Sequence, residues 1–232
     1  MSDALMIYHG SRQIVRKPEF GTGNPHNDYG LGFYCTESLA LAKEWACTED
    51  QSGFANAYRL QTADLRILNL SDPAYHLLNW LAILLQNRIF RISNPLAREG
   101  RDYLLSVFLP PYQDYDLIIG YRADDSYFSF ANAFLNNTIS LAQLEQAMYL
   151  GKLGEQVVLK SPQAFQQLTF LDAMPAEREI YYPKRIARDR NARAAFLEEK
   201  NGERASAAVY LLDILREEWK DDDPRLPRNL SF

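Results

Sequence analysis

Apolar runs of strand length alternate along this chain with longer segments in which apolar residues recur every three or four positions. Strand-type runs fall at 5–9, 33–35, 56–60, 65–70, 116–121, 156–159 and 169–171, bounded by Gly, Pro and small polar residues that favour turns. The run at 116–121, Asp-Leu-Ile-Ile-Gly-Tyr, is the most apolar of them and predicts a central strand. Thr36 or Ser38 caps a helix carrying Leu39, Ala42, Trp45 and Ala46 at helical spacing. Ser71-Asp72-Pro73 predicts a helix start, with Pro at the first helical position, ahead of a buried segment over 77–85. Asn94-Pro95 predicts another, carrying Leu96, Tyr103, Leu104, Val107 and Phe108 and stopped by Pro110-Pro111. Further helices are expected at 129–135 and at 140–150, the second opened by a Ser140-x-x-Gln143 capping box. A short one starts at Pro162.

Beyond Pro183 the pattern changes. Residues 184–232 hold 11 of the 25 basic residues and 10 acidic ones, with few β-formers. Ala205, Ala208, Val209, Leu212, Leu215 and Trp219 are expected to form one helical stripe. The chain reads as an α+β protein: a core over 1–183, its sheet drawn from distant strands, and a helical appendage over 184–232.

Composition narrows the function classes. Hydrophobic residues make up 47% of the 232 positions and charged ones 24%, which excludes a disordered chain. Thirty acidic against 25 basic side chains give a net charge of −5, unlike the basic balance of a duplex-DNA binder. Cys35 and Cys47 cannot build a disulfide framework or a four-cysteine zinc site. With no charged-then-apolar leader and no apolar stretch near bilayer length, a soluble, cytoplasmic protein without membrane contact is expected.

Two segments carry candidate chemistry. Tyr8-His9-Gly10-Ser11 ends the first strand. Asp28-Tyr29-Gly30-Leu31-Gly32-Phe33-Tyr34-Cys35-Thr36 precedes a helix bearing Ala42-x-x-Trp45-Ala46. Glycines beside an aromatic strand let backbone approach a flat ligand, and an aromatic on the next helix can cover its other face. Asp124-Asp125 lacks a His or Cys companion and reads as turn-forming carboxylates, not a metal site, while Arg122 with Asp124 is a weaker candidate for the border of an acceptor site. His26 and His76 read as incidental, and Asp221-Asp222-Asp223 as a charged helix end.

Together the two segments resemble the ADP-ribosyltransferase superfamily, in the branch shared by diphtheria-type toxins and poly(ADP-ribose) polymerases. There a first strand ends in His-Gly-Ser or His-Gly-Thr. A second carries Gly-x-Gly-Ile-Tyr-Phe, with a stacking aromatic eleven residues after its tyrosine; here these are Tyr34 and Trp45. The chain resembles most closely an uncharacterised bacterial transferase-like family with such elements, at 8–11, 28–36 and 115–120 in this sequence.

The resemblance implies an NAD cleft between two small sheets. Gly10 would hold the nicotinamide carboxamide by its backbone, beside Ser11 and Gly32, and His9 would hydrogen-bond the adenine-side ribose. Tyr34 and Trp45 would sandwich the nicotinamide. Cleavage of the nicotinamide–ribose bond passes through a positively charged sugar, so a group beside that ribose should bind its 2′-hydroxyl. Polymerase-type members place a glutamate there; here the position falls on Gln156, with Glu155 beside it. Successive strand residues face opposite ways, so only one of the two can face the cleft, and Gln156 is the preferred choice. The expected function is ADP-ribose transfer from NAD, without a metal, to a macromolecular acceptor, protein or nucleic acid. Relatives of this size further imply a bacterial intracellular toxin of a toxin–antitoxin or phage-defence module, restrained by an antitoxin protein. The alternative is a catalytically silent NAD- or nucleotide-binding module that acts through a protein partner.

Overall fold

The computed structural model describes residues 4–227 apart from 91, 93, 124, 151–153 and 202–207. Those residues form an α+β fold of two sheets and eight α-helices. The first sheet is antiparallel, in the order β1 (Ala4–Ser11), β3 (Gly53–Gln61), β7 (Leu168–Ala176). The second is mixed: β2 (Phe33–Cys35), β6 (Glu155–Leu159), β5 (Leu117–Tyr121), β4 (Ile67–Asn69), with β4 and β5 parallel. A single bridge between Tyr8 and Thr36 stitches the sheets where β1 meets the end of β2.

The second sheet is buried on both faces, and its period-2 alternation divides it between two cores. Leu117, Ile119, Val157 and Leu159 point toward the first sheet and pack with Ile7, Tyr58 and Leu60. Ile118 and Val158 point the other way, into a larger core built on Trp80, Leu81 and Leu84 of α2 (Leu77–Asn87). Leu104 of α3 (Pro95–Val107), Phe134 of α4 (Asp125–Leu135) and Leu144 of α5 (Leu141–Leu150) complete it. The same division explains why the run at 117–120 is apolar at successive positions.

Caps predicted from sequence close several helices. Ser38 Oγ accepts from Leu41 N at the start of α1 (Leu39–Ala46), so Ser38, not Thr36, is the cap. Asn94 Oδ1 accepts from Ala97 N at 2.7 Å, and Ser140 and Gln143 form the reciprocal box. Ser161 caps α6 (Pro162–Gln166). The helix predicted from Pro73 does not start there. Asp72 Oδ1 instead accepts from Ala74 N, an Asx turn that competes with helix, and α2 begins at Leu77 behind His76.

The C-terminal stripe is also corrected. α7 (Arg178–Asn201) runs through Pro183. Ala208 and Val209 lie outside any helix, Val209 O accepting from Leu141 N, and α8 spans only Leu211–Arg216. Leu211, Ile214 and Trp219 nevertheless reach the large core. Ala205 lies outside the described residues. Among the described residues no helix is long and apolar enough to cross a membrane.

Candidate active site at the seam of the two sheets

A cleft of about 630 Å³ opens where the two sheets meet. Its walls come from the end of β1, the 12–32 loop, β2, α1, the C-terminal end of α2, the segment after β5 and the start of β6. His9, Gly32, Tyr34, Trp45 and Gln156 all line it, although they are spread over nearly 150 positions of the chain.

His9 Nδ1 lies 2.7 Å from the carbonyl oxygen of Tyr34, and its ring sits 4.4 Å from that of Phe33. A carbonyl only accepts, so Nδ1 carries the proton and Nε2 is left as an acceptor. Burial lowers the imidazole pKa and keeps the ring neutral.

Gly10 is held from two sides. Tyr8 N and O are spent on Thr36, away from β3, and strand alternation turns the Gly10 N–H and C=O to that same edge, outside the β1–β3 ladder. On its other side a Cβ would stand 2.1 Å from Ala42 O of α1. Neither Gly10 nor Ser11 is among the residues that line the cleft; the Ser11 hydroxyl donates to Gln13 O and accepts from Asn56 Nδ2. Gly32 lets β6 come close, a Cβ there standing 2.8 Å from the Val158 side chain.

Tyr34 is fixed at its phenol. The hydroxyl donates to Gly30 O at 2.5 Å and accepts from Tyr29 N at 3.1 Å, and burial raises its pKa far beyond the working range. Trp45 is stacked: the Arg122 guanidinium lies 4.4 Å from the centre of its ring, so one indole face is already covered. Its Nε1 is buried without a partner among the described residues.

Gln156 and Glu155 part company as strand geometry requires. Gln156 is buried and lines the cleft, donating from Nε2 to Asp28 Oδ2 at 2.9 Å. Glu155 is exposed and accepts a short bond from the Ser71 hydroxyl. Asp124 lies outside the described residues. Among those residues no group of His, Cys, Asp and Glu is arranged to hold a metal.

Three residues that sequence reasoning did not single out complete the site. Asn56, fully buried on β3, donates to Ser11 Oγ and His9 O and accepts from Val15 N, pinning the start of the covering loop. Its signal was a polar residue between Ala55 and Ala57 on a buried strand face. Arg88, at the end of α2, reaches the cleft with its Nη1 3.7 Å from Asp28 Oδ1. Lys160 donates to the carbonyls of Tyr29 and Leu31 and holds the far end of the loop.

Burial pushes the Lys160 pKa down to about 8. The neutral amine still has N–H groups for both carbonyls while losing the cost of a buried charge. Native stability should therefore rise as pH climbs from about 8 toward the free-lysine value of about 10.4, and be indifferent to this group below 8. Urea unfolding of the wild type and Lys160→Met at pH 7 and 9.5 checks this, the difference between them moving in favour of the wild type at the higher pH.

An α+β fold with a cleft at the junction of an antiparallel and a mixed sheet defines the class of molecule. Residues 5–170 match the family described as "Protein of unknown function (DUF3990)", and the chain belongs to that family. No curated protein and no solved structure matches it.

Proposed function

We propose that this protein is an NAD-dependent ADP-ribosyltransferase, with a split-sheet core of that superfamily's kind. The observation that carries the reading is the convergence of His9, Tyr34, Trp45 and Gln156 on one cleft. The bridge between two small sheets at Tyr8 and Thr36 supports the same reading.

The residues present fit such a ligand. The Gly10 N–H and C=O offer one donor and one acceptor to the nicotinamide carboxamide. His9 Nε2 accepts from a hydroxyl of the adenine-side ribose. Tyr34, together with the Trp45–Arg122 stack, flanks the nicotinamide ring. Gln156 binds the 2′-hydroxyl of the other ribose. The bond from C1′ to the nicotinamide nitrogen breaks and its electron pair leaves with nicotinamide, while a nucleophile of a macromolecular acceptor, protein or nucleic acid, forms the new bond to C1′ and releases its proton to solvent. The site's contribution is to bind the electron-poor sugar better than the ground state. Inside a bacterial cell such an activity would arrest growth, and a protein antitoxin would restrain it.

Purified protein incubated with NAD labelled in its adenylate half should release nicotinamide and label a lysate macromolecule. His9→Ala should lower both rates about 10- to 100-fold, the worth of one hydrogen bond within the site. Absence of nicotinamide release by the wild type, with no NAD binding by calorimetry at millimolar ligand, would overturn the reading. Binding without release or labelling would leave a silent NAD-binding module.

A further inference from the structure

The negative charge that glutamine cannot supply lies one hydrogen bond from Gln156. Asp28 lines the same cleft and is only 5% exposed. Its Oδ2 accepts from Gln156 Nε2 at 2.9 Å and from the backbone N–H of Ala123 at 2.8 Å. Both bonds fall on one oxygen. The other oxygen faces Arg88 at 3.7 Å, too far for a tight ion pair. A carboxylate this enclosed and loosely paired lowers stability, a cost that is characteristic of groups with a use in a site.

The hydrogen bond also decides which way the amide points. A carboxylate only accepts, so the Gln156 nitrogen must turn to Asp28, and the acceptor end of the amide is what remains for a sugar hydroxyl. We propose that Asp28 is a positioning residue that forms a functional pair with Gln156, orienting its amide toward the ribose and lending the sugar's developing positive charge an anion that glutamine lacks. The inference rests on the reading of the cleft as the place where the nicotinamide–ribose bond breaks. The pair divides between two side chains what one glutamate does in polymerase-type members: orientation from the amide, charge from the carboxylate behind it.

The groups facing Asp28 set its titration. Burial raises its pKa, while the Ala123 N–H, Arg88 from the end of α2, Gln156 on β6 and Arg122 after β5 pull it down. The phenols of Tyr29 and Tyr34, also close, have pKa values raised by burial and stay neutral throughout. The ionised form is the active one, so nicotinamide release should rise with pH along a limb placed above the ordinary carboxylate range. His9 titrates in the same cleft, but substitution of Asp28 leaves the imidazole in place.

Asp28→Asn is the informative variant, because its one amide oxygen can accept both bonds that Oδ2 now accepts, and what is lost is the charge together with its loose pairing to Arg88. Nicotinamide release is expected to fall about 100-fold in kcat, the scale of one preorganised electrostatic contact. The Kd for NAD by calorimetry should stay within about threefold, and the part of the acid limb that belongs to Asp28 should disappear, leaving that of His9. Adding Gln156→Glu to Asp28→Asn returns a carboxylate to the ribose side and should recover at least about tenfold. An Asp28→Asn protein with wild-type kcat and an unchanged acid limb would overturn the pair while leaving the NAD reading standing. Loss of kcat without rescue by Gln156→Glu would assign Asp28 a packing role and overturn it equally. A wild type that neither binds nor cleaves NAD would overturn both readings.

Discussion

Arg188→Ala should lower the unfolding free energy by about 3–5 kcal/mol, as removal of one partner of a buried ion pair does. Glu44 sits in the last turn of α1 with its side chain only 4% exposed, and Arg188 of α7 grips it with two bonds of 3.0 and 2.9 Å from Nε and Nη2. Truncating the arginine leaves a buried carboxylate without its partner. Leucine at both positions removes the charge together with its partner and should recover most of the loss. Chemical denaturation of the wild type and the two variants checks this; an Arg188→Ala protein within about 1 kcal/mol of the wild type would mean that Glu44 finds solvent when released. The expectation bears on the cleft because Trp45 is the next residue on α1. Arg185 adds a bond from Nη1 to Cys47 O at 3.1 Å, just past the end of that helix. The C-terminal region thus acts as a brace for one wall of the candidate site.

That brace left no local signal in the sequence. Glu44 and Arg188 are 144 positions apart, and each reads on its own as an ordinary solvated charge on a helix. What was legible depended on short-range physics. Runs such as Leu117–Tyr121 announce themselves by being apolar on both faces, and the caps at Ser38, Asn94 and Ser140 depend on three or four neighbouring residues. β7 is longer than its apolar run because exposed Asp172 and Pro175 interrupt the apolar pattern while still pairing with β3, and as an edge strand it tolerates Pro175. Pro73 misled because Asp72 makes a turn with the same residues that could have opened a helix. At the site, the His9 and Tyr34 segments were readable as motifs, and the choice between Gln156 and Glu155 needed only to know which face of β6 is buried. Arg88 was not readable, since its place in the cleft follows from how α2 packs and not from its neighbours in the chain, and for Asn56 the sequence offers a polar residue on a buried strand but not the loop it pins.

Gly10→Ala should damage fold and site together, and the reason is backbone rather than side chain. A methyl group there meets Ala42 O at 2.1 Å and Ala46 N at 2.9 Å, against an ordinary contact of at least about 3.4 Å. Neither atom is the end of a flexible chain that can swing aside, so α1 or β1 must retreat by more than about 1 Å. Gly53 on the neighbouring strand meets the same helix, a Cβ there standing 2.4 Å from Ala46 O, so these two glycines together let α1 lie directly on the first sheet. Overpacking of this kind costs about 3 kcal/mol, which for a chain of this length is a drop of about 6–12 °C in Tm. Because β1 carries His9 and α1 carries Trp45, the same retreat widens the cleft between them, and NAD affinity should fall at least about tenfold in protein that remains folded. Gly21→Ala is the control, with positive φ but nothing within 4 Å, and should lose about 1 kcal/mol and no affinity. Thermal unfolding and calorimetry of the two variants separate a glycine required by helix packing at the site from one required only by its turn, and equal effects at both positions would show that α1 yields to a methyl group without cost.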